Sequence, residues 1–268
     1  MCSSMDETAL LEAMADFEDT HDIHIYACRD FGSRAKNMDG ENSDRDALFL
    51  FDQSPRSYKC LDSEVDSIVT EKRGIDFQGW NTRKFAELVA DSNPTAIEWL
   101  NSPERYYEWH QITPELRKLQ QYATENFKPI ALYYHYKSLA ERQYWKHINS
   151  EADTTSDPTA KRNLIALRAI ACAEYINERL EFPPLNINHL VAGDGLDSEV
   201  TEHIGSILRS IDDGEMNKGD TIGNKFGGFI EEWLESNPDN DRLDINGIER
   251  ARCNQFIERI TDAHANRY

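Results

Sequence analysis

Two aspartates, Asp44 and Asp46, stand two residues apart at the head of the apolar run SDRDALFLFD, and a Gly32-Ser33 pair precedes them. Alternate residues of a strand project from one face, so these carboxylates can share divalent cations. A metal-loaded pair of that kind stabilises the attacking and leaving oxygens of phosphoryl transfer. Carboxylate oxygens suit Mg2+, with Mn2+ able to substitute. A Gly-Ser turn opening a helix lets backbone N–H groups approach a phosphate, and the serine hydroxyl adds a donor. A third acid, Asp76, lies in RGIDFQGW between Ile75 and Phe77. On a strand it faces away from both, and an acid among buried neighbours needs a cation or partner to offset its desolvation. With 49 acidic residues in the chain, a lone D-x-D is ordinary solvated surface. The joint order of strand, Gly-Ser, turn, SDxD, strand and third aspartate is far more specific.

These residues need a sheet to hold them. Residues 5–18 predict an amphipathic helix with Leu10, Leu11, Met14 and Phe17 on one stripe. HIYACRD (24–30) and DALFLFD (46–52) read as strands, and a third strand near 67–69 or 74–78 completes a small mixed sheet. From Thr82 the pattern is helical: TRKFAELVADS, a helix opened by Asn93-Pro94, and three more between residues 116 and 180. Residues 147–159 are polar and loop-like, Pro183-Pro184 closes the last of these helices, and 227–236 and 244–263 are two further candidates. The expected organisation is an α/β core over 1–81, a helical domain over 82–192 and an acidic helical extension over 193–268.

Composition sets bounds on partners. Across 268 residues, 39% hydrophobic and 10% aromatic content is enough to build a core and excludes a disordered chain. The balance of 49 Asp+Glu to 29 Lys+Arg gives a net charge of −20, and arginine outnumbers lysine. Dense surface carboxylate fits a halophilic protein. Such a charge opposes nucleic-acid binding at ordinary ionic strength. At about 1 M salt, where the Debye length is roughly 3 Å, only local charge matters. Five cysteines (Cys2, Cys28, Cys60, Cys172, Cys253) without a CxxC pair fit reduced thiols. His21 and His24, in a predicted strand, fall on opposite faces, and no zinc spacing is present. The N-terminus lacks a leader pattern and no run of residues is long and apolar enough for a span, so a cytoplasmic protein with no membrane partner is expected.

Gly32-Ser33, nine residues, then Ser43-Asp44-Arg45-Asp46 resembles the signature of DNA polymerase β-like nucleotidyltransferases. The segments at 74–103, 131–145, 161–176 and 183–190 are similar to the YcgL/RlaP-type, RNA-ligase-associated group. The resemblance runs from about residue 22 to 192, with nothing recognisable beyond. It implies an α+β fold: a small mixed β-sheet nucleotidyltransferase core with N-terminal helices, followed by an all-helical C-terminal half. It also implies Gly32, Ser33 and Arg34 on the nucleotide phosphates. Asp44 and Asp46 would hold both Mg2+ ions, with Asp76 as third ligand and base. Lys36-Asn37 stands where the group often has Trp-Gly, and Gly79-Trp80-Asn81 where it often has GWD, which puts the shape of the substrate pocket in question.

Farther along, His135, Lys137, Lys161 and Arg168 are candidates for a basic wall near the triphosphate, against ordinary helix pairing. Lys137 and Arg168 are taken as nucleotide contacts. Arg83-Lys84 are candidates for phosphate or acceptor contact, and Glu98-Trp99 read as core with a satisfied acid. Tyr133-Tyr134-His135-Tyr136 could stack a base, although helical spacing assigns most of it to the core. The expected activity is transfer of a nucleoside monophosphate from an NTP to a hydroxyl of an RNA end, a protein or a small molecule, releasing pyrophosphate. A nucleotide-binding module without turnover is the alternative, and a metal-dependent phosphohydrolase ranks third. Oligomeric state is not legible.

Overall fold

A computed structural model describes residues 4–39, 45–54, 65–149, 160–193, 196–212 and 226–265. The chain opens with helix α1 (Ser4–His21). Its buried stripe is Leu10, Ala13, Met14 and Phe17, the i, i+3, i+4, i+7 series of a single face. Leu11, expected on that stripe, is 44% exposed because it lies a further 100° round the helix. His21 ends α1 instead of joining a strand, and Asp22, at φ 49°, turns the chain into β1 (Ile23–Asp30).

Five strands form one mixed sheet in the order β3-β4-β2-β1-β5: β1, β2 (Arg45–Gln53), β3 (Ser67–Lys72), β4 (Ile75–Asn81) and β5 (Arg105–Glu108). Both candidate third strands exist, as a hairpin. Its two-residue turn, Arg73-Gly74, has φ of 55° and 72°, the positive pair whose twist matches the flanking strands. β2 and β4 run parallel and every other neighbouring pair is antiparallel. β5 corrects the expectation that everything after Thr82 is helical: its tyrosines lie beside β1, with Tyr107 opposite Cys28. Four residues are too few to carry a period, and only the neighbouring strand makes them one.

One face of the sheet packs Phe49, Phe51, Ile75 and Phe77 against the α1 stripe. Leu48, Leu50 and Trp80, on the other face, are also buried. There, α2 (Thr82–Ala90) and α3 (Pro94–Leu100) supply Phe85 and Trp99 in edge-on contact, and the Trp99 indole N–H donates to the Leu48 carbonyl at 2.9 Å. Asn81 and Asn93 cap these helices through their side chains, with Pro94 in the first turn as its position predicts.

The chain packs as two units, one made of residues 1–126 with 247–268 and the other of residues 127–246. These limits differ from the expected ones at 81 and 192. α2, α3 and α4 (Thr113–Asn126) pack with the sheet unit, and the terminal helix α11 (Arg250–Ala265) joins it, burying Cys253, Phe256 and Ile260, with Phe256 on Phe85. The second unit is helical: α5 (Pro129–Gln143), a π-helical turn (Tyr144–Ile148), α6 (Ala160–Arg179), α7 (Ile187–Val191), α8 (Ser198–Asp212), α9 (Gly227–Glu235) and α10 (Asn240–Leu243). Most of the polar segment expected over 147–159 lies outside the described residues. Among them, no helix is long and apolar enough to cross a membrane, and Cys28, Cys172 and Cys253 are buried free thiols.

Candidate active site

Asp46, near the head of β2, and Asp76, second residue of β4, are register partners across the parallel pair. Adjacent strands lie about 4.8 Å apart, so the two carboxylates leave the sheet side by side. Their neighbours Ala47, Ile75 and Phe77 point into the core under α1, which sends both acids to the opposite face. Asp46 is half-buried and Asp76 exposed. Glu71 of β3 stands opposite Asp76 on the other flank. Asp44, first acid of the D-x-D pair, lies outside the described residues with 40–43. Among the described residues no group of three or more histidines, cysteines or acids gathers as a metal site.

After β1 the chain turns back over Asp46. The Phe31 N–H donates to the Asp46 carbonyl at 3.2 Å, and a Cβ added to Gly32 would fall 1.9 Å from the Asp46 Oδ2. Only glycine can bring the backbone this close to the carboxylate. Ser33 then opens a short 3-10 turn, Arg34–Lys36, and its carbonyl accepts from the Lys36 and Met38 amides. Asn37, in the left-handed region at φ 56°, closes the turn. The Ser33 hydroxyl makes no capping bond, and Arg34 is half-buried.

The turn is held from beneath by a residue outside the predicted site. Asp30 is fully buried, its Oδ1 accepting from the Gly32 N–H at 2.9 Å and the Ala35 N–H at 3.1 Å, its Oδ2 from the Tyr106 hydroxyl of β5 at 2.7 Å. The Gly32 amide, expected to face a phosphate, therefore points inward, and the glycine acts through its missing side chain. An aspartate two residues before a glycine carries the signature of a side chain capping its own turn, a signal present in RDFGS. Burial, with the Asp30 bond next, pushes the Tyr106 phenol well above its ordinary range. Lys36 ties the turn to α3 through Glu98 at 3.2 Å, so that acid is satisfied as expected. Neighbouring Arg29, wholly buried, pairs with Glu108 at 2.6 Å and donates to the Leu100 carbonyl at 2.6 Å; its guanidinium is held below its usual range by burial, against the pull of Glu108.

The other candidates belong to other elements. Arg83 pairs with Glu87 at 3.3 Å, and both, with Asp66, Asn81 and Lys84, line a cavity of about 260 Å³ where α2 begins. Lys137 and Arg168 belong to the second unit. Lys137 donates to the Ser236 carbonyl and lies over the Trp233 ring, and burial lowers its pKa. Arg168, 5% exposed, donates to the Leu185 carbonyl at 3.3 Å and so binds the segment after Pro183-Pro184 to α6. Lys161 is exposed and His135 half-buried. Tyr133 and Tyr136 are core, while Tyr134 is 39% exposed and bonded to Asn240.

Comparison with known proteins agrees with the motif reading and extends it. The chain is 30% identical over 196 residues to the uncharacterized protein YcgL of Bacillus subtilis (strain 168), covering 71% of this chain and 72% of that one. A nucleotidyltransferase-like protein from Exiguobacterium sibiricum 255-15, known from a crystal structure, aligns over 96% of this chain and 89% of its own, at 11% identity and a TM-score of 0.31. The family model described as the RNA repair pathway DNA polymerase beta family, RlaP, matches residues 6–259, well past the expected limits of 22 and 192 and into the terminal helix that packs on the sheet unit. The chain belongs to this RNA repair pathway DNA polymerase β family.

Proposed function

We propose that the protein is a Mg2+-dependent nucleotidyltransferase that moves a nucleoside monophosphate from an NTP to a hydroxyl, with the 3′ end of an RNA as the favoured acceptor. The observation that carries this reading is the in-register pair Asp46/Asp76 beneath a glycine with no room for a Cβ. Asp44, Asp46 and Asp76 offer only hard oxygen donors, which fit Mg2+ or Mn2+. When bound, the cations would neutralise the acids and draw charge from the reacting oxygens.

The residues of the chain then divide the work. Ser33 offers its amide and hydroxyl to the β- and γ-phosphates, and Arg34 supplies positive charge beside them. Asp46 would hold a cation under the turn, since a bare carboxylate repels the α-phosphate. Asp76, exposed on the same face, takes the proton of the acceptor hydroxyl as that oxygen bonds to the α-phosphorus. The bond from the α-phosphorus to the bridging oxygen breaks and pyrophosphate leaves with the electron pair. The RNA acceptor draws support from the family's description as an RNA repair pathway group. The proposed contacts all come from the first unit.

The test is incubation with each labelled NTP, Mg2+ and a 3′-hydroxyl RNA, following label transfer and pyrophosphate. The wild type should label RNA, and Asp46→Asn and Asp76→Asn should not. Binding of NTP without pyrophosphate release would point to a module that only holds nucleotide. Orthophosphate release would make it a hydrolase. Undiminished transfer by the two variants would remove these acids from the mechanism.

A further inference from the structure

Asp30 poses a question the proposed reaction does not answer. A carboxylate removed from water is expensive, and an apolar side chain would fill the same space more cheaply. Asp30 is 0% exposed, and its side-chain bonds go to one short turn and to one strand. Two go to amides of the phosphate turn, Gly32 and Ala35, and the third comes from Tyr106 on β5. Charge-assisted bonds of this kind are the strong ones, and here they clamp both ends of a four-residue segment to one anchor.

The clamp also sets a distance. With its amide drawn inward to Asp30, Gly32 is pressed against the Asp46 carboxylate so closely that no Cβ fits. Ser33, the next residue, is half-buried and opens the 3-10 turn. β5 supplies the counter-hold: Tyr106 fixes Oδ2 while Oδ1 receives the amides, so the carboxyl group cannot rotate without breaking one set of bonds.

We infer that Asp30 is a positioning residue which, braced by Tyr106, latches the Gly32-Ser33 turn onto Asp46 and so sets the pocket for the nucleotide's phosphates. The assignment of phosphates to that pocket rests on the proposed function; the latch itself does not. Asp30→Asn retains an oxygen for the two amides and can donate to the Tyr106 hydroxyl, whereas Asp30→Ala retains neither. Tyr106→Phe removes only the brace.

Hydrogen exchange on the full chain tests the latch without reference to catalysis. In Asp30→Ala the amides of 31–37 should exchange at least about tenfold faster, with β1, β2 and β4 as protected as in the wild type. Asp30→Asn should keep most of the protection and Tyr106→Phe should be intermediate. Unchanged exchange at 31–37 in Asp30→Ala, or equal acceleration throughout the sheet in both Asp30→Ala and Asp30→Asn, would overturn the inference. Kinetics give the second arm: KM for NTP should rise about tenfold or more in Asp30→Ala and return towards the wild-type value in Asp30→Asn, with kcat changing less. Loss of the latch with unaltered KM would refute its role in the pocket. A wild type that turns over no NTP would refute the proposed function and leave the exchange result to decide the latch.

Discussion

At the scale of single residues, the register of the sheet sets acids of one sign beside one another. Asp46, Asp76 and Glu71 stand in register across three neighbouring strands, and like charges directly opposite one another are destabilising. Asp76→Asn should therefore raise the metal-free melting temperature slightly while lowering kcat/KM by about 10²–10³-fold or more, the scale of losing electrostatic stabilisation of developing charge. Mg2+ should raise the melting temperature of the wild type and leave that of the variant nearly unmoved, because only the native site binds it. A variant both less stable and less active would mark Asp76 as structural. Gly32→Ala places a Cβ 1.9 Å from the Asp46 Oδ2. Forcing the two apart should cost about 1–3 kcal/mol in urea titration and abolish transfer. The Gly32-Ser33 and D-x-D motifs are legible in the sequence because each spans a few residues, whereas the register that sets Asp76 beside Asp46 comes from strand pairing. For Asp30, RDFGS signals the local turn bonds but not the brace, because Tyr106 comes from a strand 76 residues away.

At the scale of elements, local pattern and tertiary context part company at definite places. α1, β1, β2 and the Asn93-Pro94 helix start follow from period and capping, signals contained within a few residues. β5 follows from none of these, since RYYE becomes a strand only beside β1. α11 is legible as a helix but not as part of the sheet unit, because amphipathicity reveals an apolar face without revealing what covers it. Phe256, 4% exposed and packed on Phe85, makes that docking testable: Phe256→Ala should destabilise the first unit by about 3–5 kcal/mol, read as a shifted denaturant midpoint. In the second unit, burial pushes the Glu174 carboxyl above its ordinary 4.5, opposed by the Asp197 amide and the Trp233 indole. A raised acid binds its proton more tightly when folded. Its contribution is thus complete below 4.5 and is lost as pH rises through the raised value. Glu174→Gln should flatten this part of the stability profile, measured by urea midpoints from about pH 4 to about pH 7; an unchanged slope would remove Glu174 as its source.

At the scale of the whole molecule, charge and function pull in opposite directions. A net charge of −20 repels RNA at ordinary ionic strength, yet the family is one of RNA repair. On the proposed reading, high salt would reconcile them by shrinking the range of that repulsion to a few ångströms, leaving the turn and the acids to decide binding locally. The melting temperature should accordingly rise between low and molar KCl; a flat or falling profile would exclude a salt-adapted surface. On the proposed reading, nucleotide and metal meet at the Gly32-Ser33 turn and the Asp46/Asp76 pair. A crystal structure with a non-hydrolysable NTP and Mn2+ tests it most directly. Anomalous manganese density is expected between Asp46 and Asp76, with the triphosphate at Ser33. Manganese bound away from both carboxylates, or phosphates bound away from the turn, would contradict it.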